Sequence, residues 1–82
     1  MKPKLVVVDW IDSCSGNRWE SIESAKEEPL GLDCRSVGWL IHQTKRTVVI
    51  APNRTSALTS VLSAINIPRV AISRMRTLRE PK

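Results

Sequence analysis

The sequence predicts a small, mainly β domain with one short helix between its first two strands. Two stretches, Leu5–Ile11 and Thr47–Ala51, are rich in β-branched residues, which is typical of strands. The chain has 82 residues, 41% of them hydrophobic. This content is enough for a core and too high for a disordered chain. Because the chain is so short, we expect residues 1–82 to form a single domain.

The first strand covers Leu5–Ile11. Side chains alternate between the two faces of a strand, and the even positions Val6, Val8 and Trp10 form the more apolar set. We therefore expect these three side chains to point into the core. The turn-forming residues 13–17 end the strand.

A short helix is predicted after this turn. Asn17 can cap its N-terminus, with Glu20 three residues later as in a capping box. Trp19, Ile22 and Ala25 recur at helical spacing. The helix ends before Pro29.

The second strand is predicted at Cys34–Gln43 and the third at Thr47–Ala51. The polar residues 43–46 between them form a short turn, so the two strands form a β-hairpin.

Residues 56–66 fit two interpretations. Their apolar residues have helical spacing, whereas the alternation expected of a strand is weaker; these residues are Leu58, Val61, Leu62 and Ile65. The last strand is predicted at Val70–Leu78. Its pattern places Val70, Ile72 and Leu78 near the core, and Arg74 and Arg76 together on one solvent-facing side.

Several segments, taken in order, resemble a family of small uncharacterised bacteriophage proteins with a partly open SH3-like barrel. They are Val8–Ser13, Trp19 with its acidic short helix, Cys34–Ile41, Val48–Pro52 and Ile67–Arg69. The resemblance covers nearly the whole chain, and the Cys-Arg-Ser-Val-Gly-Trp stretch is its most specific part.

This resemblance implies a viral origin and one SH3-like, five-stranded barrel over residues 1–82. It also implies that residues 58–66 are the fourth strand, and we adopt that interpretation over the helix. A single helical turn at Ile67–Arg69 would precede the last strand. The resemblance implies no activity and no catalytic residues.

The sequence gives little support for catalysis, and we predict a protein that is not an enzyme and needs no cofactor or metal. His42 is the only histidine, and it lies beside a predicted turn. Pairing of His42 with Cys14 or Cys34 is conceivable, but lone cysteines in small domains usually serve packing. Asp9 and Asp12 point to opposite faces of one strand, so they cannot act as a carboxylate pair.

The two cysteines and the N-terminal segment bear on the compartment. Cys14 and Cys34 are most simply read as free thiols in a reducing cytosol, and the alternative is a disulfide between them. The apolar run Leu5–Val8 is too short for a signal peptide or a membrane helix. We therefore expect a protein of the host cytoplasm with no membrane contact.

Charge is divided unevenly along the chain. Residues 1–41 hold five basic and seven acidic residues, a net of −2, whereas residues 42–82 hold eight basic and one acidic, a net of +7. Such a division predicts a cationic surface that could bind nucleic acid without sequence preference. The candidate residues are Lys45, Arg46, Arg54, Arg69, Arg74, Arg76 and Arg79. The alternative is a solvated basic face with no partner.

The function favoured from the sequence is nevertheless binding of a host protein, as a phage accessory protein that modifies a host process. Trp19, Glu20 and Glu23 lie on the long first loop, and a tryptophan among acids suits a basic or proline-rich partner. Alternatively, Trp19 and Ile22 simply dock the helix on the barrel. Self-association through unpaired strand edges is a further possibility.

Overall fold

The structure is a computed structural model that describes residues 3–12, 19–26 and 31–79. In these ranges the strands are β1 (Leu5–Asp12), β2 (Leu32–Gln43), β3 (Thr47–Ala51), β4 (Asn53–Arg54), β5 (Val61–Leu62), β6 (Ile65–Pro68) and β7 (Ile72–Thr77). A four-residue helix, α1 (Ile22–Ala25), lies between β1 and β2, and a 3₁₀ helix, η1 (Arg69–Ala71), precedes β7. The predicted mainly β fold with one short helix between the first two strands is confirmed.

Five of the strands form one antiparallel sheet in the order β6-β3-β2-β1-β7, and β4 pairs only with β5. β6 and β7 are the two edges of the large sheet, and they are joined in the chain by η1. Because these edges do not pair with each other, the sheet is not closed into a barrel. The prediction of five strands in an arrangement that is not fully closed is therefore confirmed.

The core lies on one face of this sheet. Val6 and Val8 of β1 pack with Val48, Ile50 and Ile67, and each of the five side chains is at most 2% exposed. The partly buried side chains packed against this cluster are Trp10, Leu40, Ile72 and Met75. The even-numbered face of β1 therefore points into the core, as predicted.

Two local features let β2 cross the middle of the sheet. Trp10 Nε1 donates a hydrogen bond to Ser36 Oγ over 3.0 Å, which satisfies the indole of a half-buried tryptophan. A Cβ atom at Gly38 would lie 2.8 Å from the carbonyl oxygen of Ala51. Only glycine therefore permits this close approach of β2 and β3.

The segment 56–66 is neither a helix nor one strand. β5 lies within it and pairs with β4, which precedes it, and the fourth strand of the large sheet, β6, begins only at Ile65. The Thr55 hydroxyl oxygen accepts the N–H groups of Thr59 and Ser60 over 3.0 and 3.1 Å, which folds the loop back on itself. The expected strand at 58–66 was thus misplaced because these side-chain hydrogen bonds compete with a continuous strand.

The helical turn before the last strand also differs from the prediction in position. It covers Arg69–Ala71 instead of residues 67–69, because Pro68 keeps an extended backbone with φ −62° and ψ 134°. Val70 therefore lies on η1 and is 99% exposed, so its predicted core position is wrong. Leu78 follows β7 and is also exposed, whereas Ile72 packs on the core.

Helix α1 is shorter than predicted and begins at Ile22. Ser21 is its N-cap, with the Ser24 backbone N–H donating to Ser21 Oγ over 3.1 Å. Asn17, the predicted cap, lies outside the described residues. None of the helices in the described ranges has the length and hydropathy needed to cross a bilayer.

Candidate nucleic-acid interface

Three arginines share the face of the sheet that points away from the core. In the strand register, Asp9 of β1 lies opposite Arg35 of β2 on one side and opposite Arg74 of β7 on the other. Directly opposed residues point to the same face. Arg76, two residues further along β7, lies opposite Val7 and shares this face as well. We call the surface formed by Arg35, Arg74 and Arg76 the arginine face.

Asp9 is the single carboxylate within this cross-strand row. Arg35 Nε donates to Asp9 Oδ1 over 2.7 Å and Arg35 Nη2 to Oδ2 over 3.2 Å, a two-point ion pair. The hydrogen bond from Arg35 lowers the pKa of Asp9 below its usual 3.8; a smaller opposing effect of desolvation is outweighed, and the charges of Arg35, Arg76 and Arg74 lower it further. Asp9 is therefore ionised at neutral pH, and the row with Arg76 carries a net charge of +2.

A β-bulge in β7 places these side chains. The register between β1 and β7 shifts after Asp9, so that Trp10 lies opposite Ile72 and Ser73 is the extra residue. Ser73 Oγ donates to the carbonyl oxygen of Asp9 over 3.1 Å. The bulge allows Ile72 to face the core while Arg74 still projects from the opposite side.

Two of the predicted binding residues are engaged within the molecule. Arg69 Nε donates to the Thr44 carbonyl oxygen over 2.6 Å, and its Nη2 donates to Gln43 Oε1 over 2.7 Å. The guanidinium carbon of Arg54 lies 4.2 Å from the ring centre of Trp39, a cation–π contact. Arg69 thus fixes η1 to the β2–β3 turn, and Arg54 covers Trp39.

The other predicted residues lie elsewhere. Lys45 and Arg46 occupy the exposed turn between β2 and β3, roughly 30 Å along β2 from Arg35 at the usual rise per residue. Arg79 follows the end of β7 and is exposed. The structure therefore brings together Arg74 and Arg76 from the predicted set, but not the turn residues with them.

Arg35 was missed by the sequence reasoning. It lies in the half of the chain with net negative charge, and charge counting along the sequence gave it no weight. The signal that could have found it is register: pairing β1 with β2 places Arg35 opposite Asp9. That register depends on contacts between residues 26 positions apart.

The predicted protein-binding residues lie on and before α1. Trp19 is fully exposed, with a relative accessibility of 104%, and Ile22 is 77% exposed. The alternative in which these two side chains dock the helix on the sheet is therefore wrong. Glu20 and Glu23 are exposed as well, and Glu20 accepts a hydrogen bond from the Ser24 hydroxyl over 3.2 Å.

Cys34 and His42 are the other described side chains that the sequence offered for catalysis. Cys34 is a free thiol whose Sγ lies 3.5 Å from the Leu32 carbonyl oxygen, and Cys14 falls outside the described residues. His42 lies exposed near the end of β2. Within the ranges that the structure describes, no three His, Cys, Asp or Glu side chains are grouped so that they could hold a metal ion.

Comparison with known proteins adds no relative: no family model, curated protein or solved structure matches this chain. The resemblance to SH3-like phage proteins therefore stays a prediction.

Proposed function

We propose that this protein binds nucleic acid without sequence preference, through phosphate contacts at the arginine face. The observation that carries the proposal is the position of Arg35, Arg74 and Arg76 on one side of the sheet, with Asp9 as the carboxylate between them. Phosphate contacts by arginine supply most of the affinity of such binding.

The geometry of the face suits a phosphate chain. Arg74 and Arg76 are two residues apart on one strand, so their Cα atoms are separated by about 6.8 Å and their side chains point the same way. A guanidinium has five N–H donors in a fork that fits phosphate oxygens. Arg35 uses two of its donors on Asp9 and keeps the others, and its side chain is 64% exposed.

Lack of sequence preference follows from the aromatic side chains. Proteins that bind single strands usually stack bases on exposed aromatic rings. Trp39 is covered by Arg54, and Trp10 packs on the core. Within the described part of the sheet, bases therefore find no free ring, and phosphates are the groups that the face can contact.

The test is fluorescence anisotropy with a labelled single-stranded DNA and its duplex over a range of salt concentrations. For three phosphate contacts on a single strand, we expect log Kobs to fall with log salt at a slope of about −2. Arg74→Glu with Arg76→Glu should weaken binding at least tenfold and reduce this slope.

The matched control is Lys45→Glu with Arg46→Glu, which changes the net charge equally but lies on the distant β2–β3 turn. We expect this pair to weaken binding much less. Equal losses of affinity from the two pairs of substitutions would mean that only the total charge matters. If the anisotropy of labelled DNA does not rise even at low salt, nucleic-acid binding is rejected altogether.

A second candidate function is binding of a host protein through Trp19, Glu20 and Glu23, and the full exposure of Trp19 favours it. If the chain is a phage protein, as the resemblance implies, this contact would modify a host process. A pull-down from host lysate with wild type and Trp19→Ala tests it, with Val70→Ala as control because Val70 is equally exposed elsewhere. If wild type, Trp19→Ala and Val70→Ala recover the same host proteins in equal amounts, Trp19 does not contribute to binding.

A further inference from the structure

We propose that the cleft beneath the β4–β5 hairpin binds a small aliphatic carboxylate. The cleft has a volume of about 320 Å³ and opens between the hairpin loop and the outer face of β2. Its apolar side chains are Pro3, Ile41, Leu58 and Val61, and Arg54 supplies its positive charge. This combination of apolar walls and one charged group is typical of sites for small ligands.

Arg54 is a half-buried cation whose guanidinium makes few polar contacts with the described residues. Its guanidinium lies over the Trp39 ring, its Nη1 donates only a long 3.3 Å hydrogen bond to the Thr55 carbonyl, and its Nε is buried without an acceptor. Among the described residues, no carboxylate lies within ion-pair distance of Arg54. A buried charge favours a partner of opposite sign, so an anionic group is the occupant that this cleft is suited to bind.

The loop that forms one wall is held in a strained conformation. Leu58 has a φ of 60°, in the left-handed region that a bulky residue rarely adopts. Thr55 maintains it: the Leu58 N–H donates to the Thr55 carbonyl over 3.0 Å, and the Thr55 hydroxyl accepts the next two N–H groups. Strained residues of this kind are concentrated at active sites, ligand clamps and switch regions, and Leu58 lines the cleft.

The volume sets the size of the ligand. One water molecule takes up about 30 Å³ of the liquid, so the cleft has room for about ten water-sized groups. Octanoate has this size and joins a carboxylate for Arg54 to an aliphatic chain for the apolar wall. It is therefore the probe of choice, and 1-octanol is its uncharged counterpart.

The experiment is a titration of ¹⁵N-labelled protein followed through the indole N–H signals of Trp39 and Trp10. Because Trp39 lies under Arg54 while Trp10 belongs to the core, we expect octanoate to shift the Trp39 signal saturably and to leave Trp10 unchanged. Arg54→Gln should weaken octanoate binding at least tenfold and leave the weak binding of 1-octanol unchanged.

A second variant, Leu58→Gly, tests the apolar wall, and it retains the loop because glycine adopts positive φ without strain. It should weaken both octanoate and 1-octanol. Equal affinity for the two ligands, unchanged octanoate binding in Arg54→Gln, or simultaneous shifts of both indole signals would overturn the proposal.

Discussion

At the scale of single residues, Asp9 determines how strongly the arginine face can attract an anion. It holds Arg35 by two hydrogen bonds and offsets one of three positive charges. This carboxylate both positions a binding residue and weakens the field of the surface, so the two effects can be separated by substitution.

Asp9→Asn is expected to tighten DNA binding several-fold, because it removes one negative charge from beside Arg35 and Arg74. The plot of log Kobs against log salt should also become steeper, by up to the amount expected for one additional phosphate contact. The measurement is the same anisotropy titration. Weaker binding by this variant would mean that positioning of Arg35 matters more than the charge of the carboxylate.

The acid sensitivity of folding follows from the same residue. The pKa of Asp9 is lower in the folded chain than its usual 3.8, chiefly through the hydrogen bond from Arg35. Its ionised form therefore stabilises the fold above this value, and the contribution is lost as the pH falls through the lowered pKa. In urea unfolding, the stability difference between wild type and Asp9→Asn should be constant at neutral pH and shrink below about pH 4. If the stability difference between wild type and Asp9→Asn stays the same below about pH 4, ionisation of Asp9 does not stabilise the fold.

Adding a single methyl group at Gly38 should lower the stability of the fold. Its Cβ would meet the backbone of Ala51 at 2.8 to 2.9 Å, and backbone cannot move aside without separating β2 and β3. We expect Gly38→Ala to lower the free energy of unfolding by about 1–3 kcal/mol. Val37→Ala is the control, because Val37 precedes Gly38 on β2 and its side chain is 49% exposed. Equal losses in urea unfolding would refute this account.

At the scale of elements, η1 is fastened to the β2–β3 turn by Arg69. Two charge-assisted hydrogen bonds leave its guanidinium, and its backbone N–H donates to the Arg46 carbonyl over 2.8 Å. The turn itself is closed by the Thr44 N–H, which donates to the Thr47 carbonyl over 2.9 Å. These contacts hold the connection between the two open edges of the sheet.

Arg69→Ala is therefore expected to destabilise the fold by about 1–2 kcal/mol, because two acceptors of the turn lose a charged donor. Amide hydrogen exchange should accelerate at residues 44–47 and in η1. Arg79→Ala, which removes an exposed arginine beyond β7, is the control. Unchanged exchange at the turn in Arg69→Ala would show that the contact contributes little.

Elements with strong local patterns could be predicted from the sequence, and those set by side-chain hydrogen bonds could not. The bounds of β3 and most of β1 follow from runs of β-branched residues. The hairpin of β4 and β5 was missed because Thr55 directs the loop and Leu58 adopts a left-handed backbone, neither of which leaves a periodic signal. The arginine face was half predicted: Arg74 and Arg76 alternate on one strand, but Arg35 joins them only through register.

At the scale of the whole molecule, the described chain is elongated, with extents of 54 × 24 × 23 Å. Its radius of gyration is 16.1 Å, against about 12 Å for a compact domain of this length. β7 pairs with β1 only as far as Trp10, so β1 and β2 continue toward α1 as a two-stranded ribbon. Trp19 precedes α1, whereas Arg35, Arg74 and Arg76 lie on β2 and β7. The two proposed functions can therefore be tested by separate substitutions.

Because β7 is an edge strand of an open sheet, its outer backbone N–H and C=O groups are available to pair with a strand of another chain. Arg74 and Arg76 are positioned to repel a second copy that approaches this rim, because cationic side chains there discourage intermolecular sheet growth. Arg74→Ser with Arg76→Ser should accordingly form higher-order species in light scattering at concentrations where the glutamate pair, equally charged but of opposite sign, stays dispersed. If the serine and glutamate variants associate to the same extent, the charge of these side chains does not prevent self-association.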